Sequence, residues 1–299
     1  VAPNSSGQIG NITGDFTSNY INATNLSFGG AVINAGSIGD ITGDFDGNYA
    51  VSSGNTAIGG AIENYNSAII GDITGDFLNN HVIGYSQSWG GAIDNNNSAT
   101  IGDITGNFEG NYAESAHGYT YGGAIYNYIS ANIGDITGDF TNNYTDAYTT
   151  SSGGAIFSGG GTIGNINGDF TDNHANSSNT FSRGGAIENV AGAKINSITG
   201  NFSGNYAKAQ NAYAYGGAIE NVNSSTIGNI TGDFSNNYPN AYTDSVGGAI
   251  YNNGTLNLSQ DTISGHNKNT LISDITGNGI TNIKSGNVEV ATGKTITQK

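Results

Sequence analysis

The chain has 299 residues, of which 49 are Gly, 2 Pro, none Cys and one Trp; 35% are apolar and the formal net charge is −16. Gly without a three-residue period excludes collagen, the lack of Cys excludes a disulfide scaffold, and no apolar run reaches the ~18–20 residues of a membrane-spanning helix. The acid excess repels phosphate backbones and anionic lipid, which sets aside nucleic acid as a partner and membrane insertion of this segment.

Residues 1–8 read as a short atypical lead with no signal peptide remaining. From Ile9 the chain is periodic. The string Ile-Gly-Asp-Ile-Thr-Gly-Asp-Phe, with small changes, begins at Ile9, Ile38, Ile70, Ile101, Ile133, Ile163, Ile195 and Ile227. A second string, Gly-Gly-Ala followed by Ile or Val, begins at Gly29, Gly59, Gly90, Gly122, Gly153, Gly184, Gly216 and Gly247. Both markers keep a spacing of roughly 31 residues, so 9–254 is one array of eight repeats. Apolar residues stand in short runs bounded by Gly, Asn and Asp, without the i, i+3, i+4 spacing of a helix. The fold class expected is all-β: a parallel β-solenoid whose coils of about three short strands rise by ~4.8 Å each.

Within a unit, each column has an expected place. The Phe column (Phe16, Phe45, Phe77, Phe108, Phe140, Phe170, Phe202, Phe234) and the Ile columns form the core ladders. The Asn of Phe-x-x-Asn (Asn19, Asn48, Asn80, Asn111, Asn143, Asn173, Asn205, Asn237) is expected as a turn ladder whose amides bond to the next coil. The Gly pair provides a positive φ or a corner too tight for a side chain. Between Phe-x-x-Asn-Tyr and Gly-Gly-Ala lies a variable arc, as in 113–121, 145–152 and 207–215. After Thr255 the repeat lapses, and 255–299, with Lys268, Lys284, Lys294 and Lys299, reads as shorter terminal coils or a cap.

Two columns and two further sets of residues are candidates for chemistry. Asp15, Asp44, Asp76, Asp139, Asp169 and Asp233 share a column with Asn107 and Asn201. Stacked carboxylates suggest calcium, but exchange with Asn favours a turn residue bonded to backbone, so no cofactor is expected. A Thr column (Thr13, Thr42, Thr74, Thr105, Thr137, Thr199, Thr231, broken by Asn167) is the pattern of an ice-binding face, which usually needs a second column. Catalysis on a β-helix needs acids and a base converging where the repeat is broken. Arg183, the only Arg, has no acidic partner at a telling spacing; His81 and His174 replace Tyr in a Tyr column, and His117 and His266 are isolated. No catalytic residue is therefore expected, nor an enzyme. The aromatic residues Trp89, Tyr119, Tyr121, Tyr148, Phe181, Tyr213, Tyr215 and Tyr242 of the arc form the candidate contact surface.

The paired motifs, Gly59-Gly60-Ala61-Ile62 with Phe45-Asp46-Gly47-Asn48 and their copies through 9–254, resemble those of the chlamydial polymorphic outer-membrane proteins and related autotransporter passengers. The stretch 285–294 is similar to coils common in passenger domains. The resemblance implies a right-handed β-helix, exported to a bacterial cell surface or the extracellular space, and used in adhesion or surface structure. The chain departs from it in lacking Cys and any C-terminal run of amphipathic barrel strands, which points to a passenger fragment or a released subunit. The expected function is a non-catalytic adhesive rod or filament subunit. Its expected partners are further copies stacked head to tail and a host or neighbouring-cell protein or glycan. A glycan-active enzyme is the alternative, with ice binding behind it.

Overall fold

The computed structural model describes residues 7–259, 261–264, 275–283 and 286–288. These form an all-β solenoid of about eight coils, in which each strand pairs in parallel with its counterparts one repeat before and after. The repeat spacing is the pairing register: Ile73 lies beside Ile104, Phe77 beside Phe108 and Ile93 beside Ile125. The coil is more finely divided than the three strands expected. One coil runs Ile69–Ile70, Ile73–Thr74, Phe77–Leu78, His81–Gly84, Gln87–Trp89 and Ile93–Asn96, which is six segments. The reason is turn density: left-handed residues such as Asn79 and Gly90 redirect the chain every few positions.

Each coil has two parts, a body and a flange. The body is enclosed by the first, second and last segments of the coil and by the Phe strand. Its core is the expected Ile and Phe ladders, with Ile73, Ile104, Phe77 and Phe108 wholly inaccessible. Successive Phe rings lie parallel at 4.6–4.8 Å between centroids, the interstrand repeat. The flange is the variable arc. It is not irregular but folds as two strands, such as Tyr49–Ser52 and Thr56–Ile58, lying back to back. Its interior is narrow, so small residues fill it: Ala50, Ala57, Val82 and Ala113 in one cluster, Ala207, Ala209 and Ala214 in another. Serines tie its halves together, as where Ser27 and Ser88 donate to the carbonyls of Val51 and Glu114 on the next coil.

The lapse of the repeat after Thr255 has a structural meaning. Among the described residues the two flange sheets end at Tyr238–Ala241 and Asp244–Val246, whereas the body sheets continue. Thr255–Leu258 pairs with Ile280–Ile283, a step of 25 residues instead of about 31. Asp261–Ser264 and Gly286–Val288 extend the Phe-strand sheet in the same way. Residues 1–6 of the lead, the four C-terminal lysines, His266 and 289–299 lie outside the described residues.

The Asn column is a ladder, as expected, but a buried one, placed just after the turn. The residue before each Asn has positive φ, as at Asn79, Gly110 and Asn142. Asn111 then joins three coils: its side-chain amide donates 2.8 Å to the carbonyl of Phe77 behind and 2.9 Å to Oδ1 of Asn143 ahead. A second internal ladder, Asn34–Asn64–Asn95–Asn127 and Asn189–Asn221–Asn252, is interrupted by Ser158. It was not anticipated, although it is written as Gly-Gly-Ala-Ile-x-Asn.

Candidate functional site: a groove at the Gly-Gly corner

The corner between flange and body is set by the Gly pair. Gly122 has a φ of 66°, and a Cβ on Gly123 would lie 2.0 Å from the carbonyl oxygen of Gly154. Only Gly-Gly lets neighbouring coils stack through so sharp a bend. In the strand after it, alternate residues face inward: Ile93 joins the core and Asn95 the second Asn ladder. The residues between them face outward. Yet the outward-facing Glu63, Asp94, Glu188 and Glu220 are only 3%, 0%, 1% and 4% exposed. An outward side chain that water does not reach is covered by another part of the coil, here the end of the flange strand.

One wall of the groove is the last residue of each outer flange strand: Ile58, Trp89, Tyr121, Ser152, Arg183 and Tyr215. The other is the position after Gly-Gly-Ala-Ile, where Glu63, Asp94, Tyr126, Phe157, Glu188 and Glu220 follow one another up the rod. Rings bridge the walls, Trp89 to Tyr126 at 5.5 Å, Tyr121 to Phe157 at 4.9 Å and Tyr215 to Tyr251 at 5.0 Å.

Six of the eight expected contact residues gather here. Trp89, Tyr121 and Tyr215 line the groove, and Tyr119, Phe181 and Tyr213 extend it across the same flange face, with Phe181 and Tyr213 stacked at 5.8 Å. Tyr148 and Tyr242 stand apart in the turns at the flange tip, 49% and 84% exposed. Burial pushes the Tyr121 hydroxyl up to about 12, with Glu188 adding to the shift.

The acids were missed by sequence reasoning, and the statement that Arg183 lacks an acidic partner is corrected. Arg183 lies 3.8 Å from Glu188 on its own coil and 4.0 Å from Glu220 on the next. The partner is five residues along, across a corner that only the folded coil closes. Burial works against the charge of Arg183, but the two acids outweigh it and hold the guanidinium above its ordinary range. Burial raises both carboxyls, Glu220 the more because Glu188 adds repulsion. The signal available in the sequence was the column after Gly-Gly-Ala-Ile, where Glu, Asp, Tyr and Phe alternate inside an otherwise regular repeat.

The other candidate columns are placed as follows. In the Asp column one side-chain oxygen accepts the backbone N–H of the next coil: Asp44 N–H to Asp15 at 3.0 Å, Asp76 N–H to Asp44 at 2.9 Å, and Asp139 N–H to Asn107 at 3.0 Å. Asn107 and Asn201 do this work as well as Asp, as at Asp233 N–H to Asn201, which accounts for their exchange. Among the described residues no three acids or histidines are grouped to hold a metal ion. Thr42, Thr74, Thr105 and Thr137 form one exposed row. His81 and His174 take their places in the Tyr ladder, stacked at 4.6–5.1 Å on their neighbours and held below their ordinary pKa by burial. His117 lies against Tyr85.

No family model matches the chain, and no curated protein or solved structure matches it.

Proposed function

We propose that this chain is an exported, non-catalytic rod of a bacterial cell surface or the space outside it, whose aromatic groove makes adhesive contact with a protein or glycan. The observation that carries this reading is the set of half-buried rings Trp89, Tyr121 and Tyr215 along one wall, each backed at 4.9–5.5 Å by a ring of the other wall, Tyr126, Phe157 and Tyr251. Large, preordered aromatic area binds with little entropy cost. The resemblance of the Gly-Gly-Ala-Ile and Phe-x-x-Asn repeats to the chlamydial polymorphic outer-membrane proteins and autotransporter passengers supports export and a surface location. The test is binding to a glycan array and to whole cells. Tyr121→Ala with Tyr215→Ala should lower binding at least about tenfold while the rod stays folded; binding unchanged in that variant rules the groove out as the contact surface.

Head-to-tail stacking fits the same rod. The coil from Ile9 to Asn34 carries exposed Ile9, Ile21, Leu26 and Ile33 beside a half-buried Phe16, and a second copy stacked in register would extend its ladders. Sedimentation over a hundredfold concentration range checks this: growing particles support it and a constant monomer does not.

A glycan-active enzyme is the second reading, favoured by Arg183 between Glu188 and Glu220. Parallel pairing sets the two acids one strand apart, ~4.8 Å at the backbone, and burial favours a proton on each. A protonated acid beside a second carboxyl is the composition of a glycoside hydrolase site. Release of reducing ends from a panel of polysaccharides, lost in Glu188→Gln and Glu220→Gln, would establish it; a panel left uncut would remove it.

A further inference from the structure

The groove holds two pairs of acids in the same register, and one pair has a cation while the other does not. In the first, Arg183 stands five residues before Glu188 and reaches both Glu188 and its neighbour Glu220 on the next coil. The second pair repeats the arrangement: Glu63 and Asp94 lie side by side on adjacent coils. Five residues before Glu63, where Arg183 would stand, is Ile58. Among the described residues no Lys, Arg or His pairs with either acid.

Asn96 serves one oxygen of each acid, donating to Oε1 of Glu63 at 3.3 Å and to Oδ1 of Asp94. The remaining oxygens, Oε2 of Glu63 and Oδ2 of Asp94, are buried without a hydrogen-bond partner. Such orphaned acceptors are rare in folded proteins and call for an occupant. Trp89, on the same coil as Asp94, stacks on Tyr126, which follows Asp94 in the same column on the next coil.

We propose that Glu63 and Asp94 bind a guanidinium group from outside the chain, held between two coils as Arg183 is held by Glu188 and Glu220. Three features select guanidinium. It is planar and forked, so one group can serve two carboxylates. It is weakly hydrated and stacks on aromatic rings, as Arg183 does over Phe181 at 4.8 Å. A calcium ion would need six to eight oxygens, and among the described residues no third acid is grouped with the pair.

A proton competes for the same place. The titratable groups facing the pair are the two acids themselves with Tyr65 and Tyr126, all neutral or negative. Burial, with repulsion from Asp94, holds Glu63 well above the carboxylate range, and burial pushes Asp94 up to about 8. A bound guanidinium favours the ionised form, so binding expels about one proton and tightens as pH rises. The site is occupied in this way whether or not the aromatic strip is adhesive.

The experiment is titration calorimetry of the whole chain with agmatine and with a capped Arg-containing tetrapeptide, in two buffers of different ionisation enthalpy. Expected are one site, release of about one proton, and affinity at least about tenfold higher at pH 8.5 than at pH 6. Glu63→Gln should weaken binding about tenfold or more, and Ile58→Arg, which supplies the guanidinium in cis, should abolish it; Glu188→Gln should leave it unchanged. Should Ile58→Arg not fold, Asp94→Asn takes its place, with the same loss expected. Tighter binding of the peptide assigns the group to a protein partner, and equal binding to a free small molecule. No binding of either probe at pH 8.5 overturns the proposal. So does binding that survives both Glu63→Gln and the second variant, or butylamine or calcium binding as tightly as agmatine.

Discussion

Body and flange are built on one backbone plan, with parallel strands stacked in register, yet they are held together by different means. In the body, Phe and Ile recur at the same place in nearly every coil and side-chain amides run through all of them. In the flange, the strands touch through Ala and are tied by single serine hydroxyls, while residues on its outer faces vary from coil to coil. A core of large side chains tolerates little change of shape. A thin seam of small ones constrains only its own interior and leaves its outside free to diversify. Contact chemistry therefore concentrates where the flange meets the body, on a surface both variable and rigidly supported.

The contrast can be broken most forcefully from the body. Phe108→Ala removes one ring from a stack closed above and below, and should cost about 3–5 kcal/mol in denaturant unfolding; a silent change would mean that the Phe ladder does not carry the core. Asn111→Ala comes next. It removes two amide bonds and strands the N–H groups of Asn80 that donate to Asn111 Oδ1. Thermal and urea unfolding should show a loss of roughly 2–4 kcal/mol.

At the corner the sign depends on pH. Glu63 and Asp94 titrate above their unfolded values, so the folded chain binds their protons more tightly than the unfolded chain does. Their contribution is fully present below about pH 4 and is lost as pH rises through about 8. Glu63→Gln removes the buried carboxyl that loses its proton against both burial and the charge of Asp94. It should therefore gain stability relative to the parent between pH 5 and pH 9, by roughly 2 kcal/mol in urea unfolding run at both. A difference that stays flat with pH would show that the acids are solvated.

Smaller effects belong to the flange and the Asp column. Ser88→Ala, which loses the hydroxyl bond to Glu114, should cost about 1 kcal/mol by urea unfolding. If it costs as much as Phe108→Ala, the seam is no weaker than the core. EDTA should move Tm by less than about 2 °C, because backbone N–H groups already occupy one oxygen of Asp15, Asp44, Asp76, Asp139 and Asp169.

Much of the body was legible because its signals are periodic. Phe at one place in eight coils and Gly-Gly at another can be read without folding the chain, and the pairing register follows from their spacing. The number of strands per coil was not, since it depends on left-handed residues such as Asn142 and Asp172 that composition does not distinguish from loop residues. The groove was half legible. Aromatic residues of the arc announced themselves as departures from the repeat, but Glu188 and Glu220 stand in a strand position whose alternation says solvent. Their burial arises from the corner, which brings Arg183 and its flange strand over them. A local pattern specifies which way a side chain points; it does not specify what the rest of the coil folds across it.

One consequence of the first Asn ladder concerns the rod as a whole. From Asn19 through Asn48, Asn80, Asn111, Asn143, Asn173 and Asn205 to Asn237, each amide nitrogen donates to the oxygen of the coil that follows. All these dipoles point one way, and aligned hydrogen bonds polarise one another. The rod thus carries an internal electric axis made of side chains, with its positive pole toward the later coils. The two ends of a solenoid built on such a row are electrically unlike, and opposite poles meet only when copies stack in the same sense.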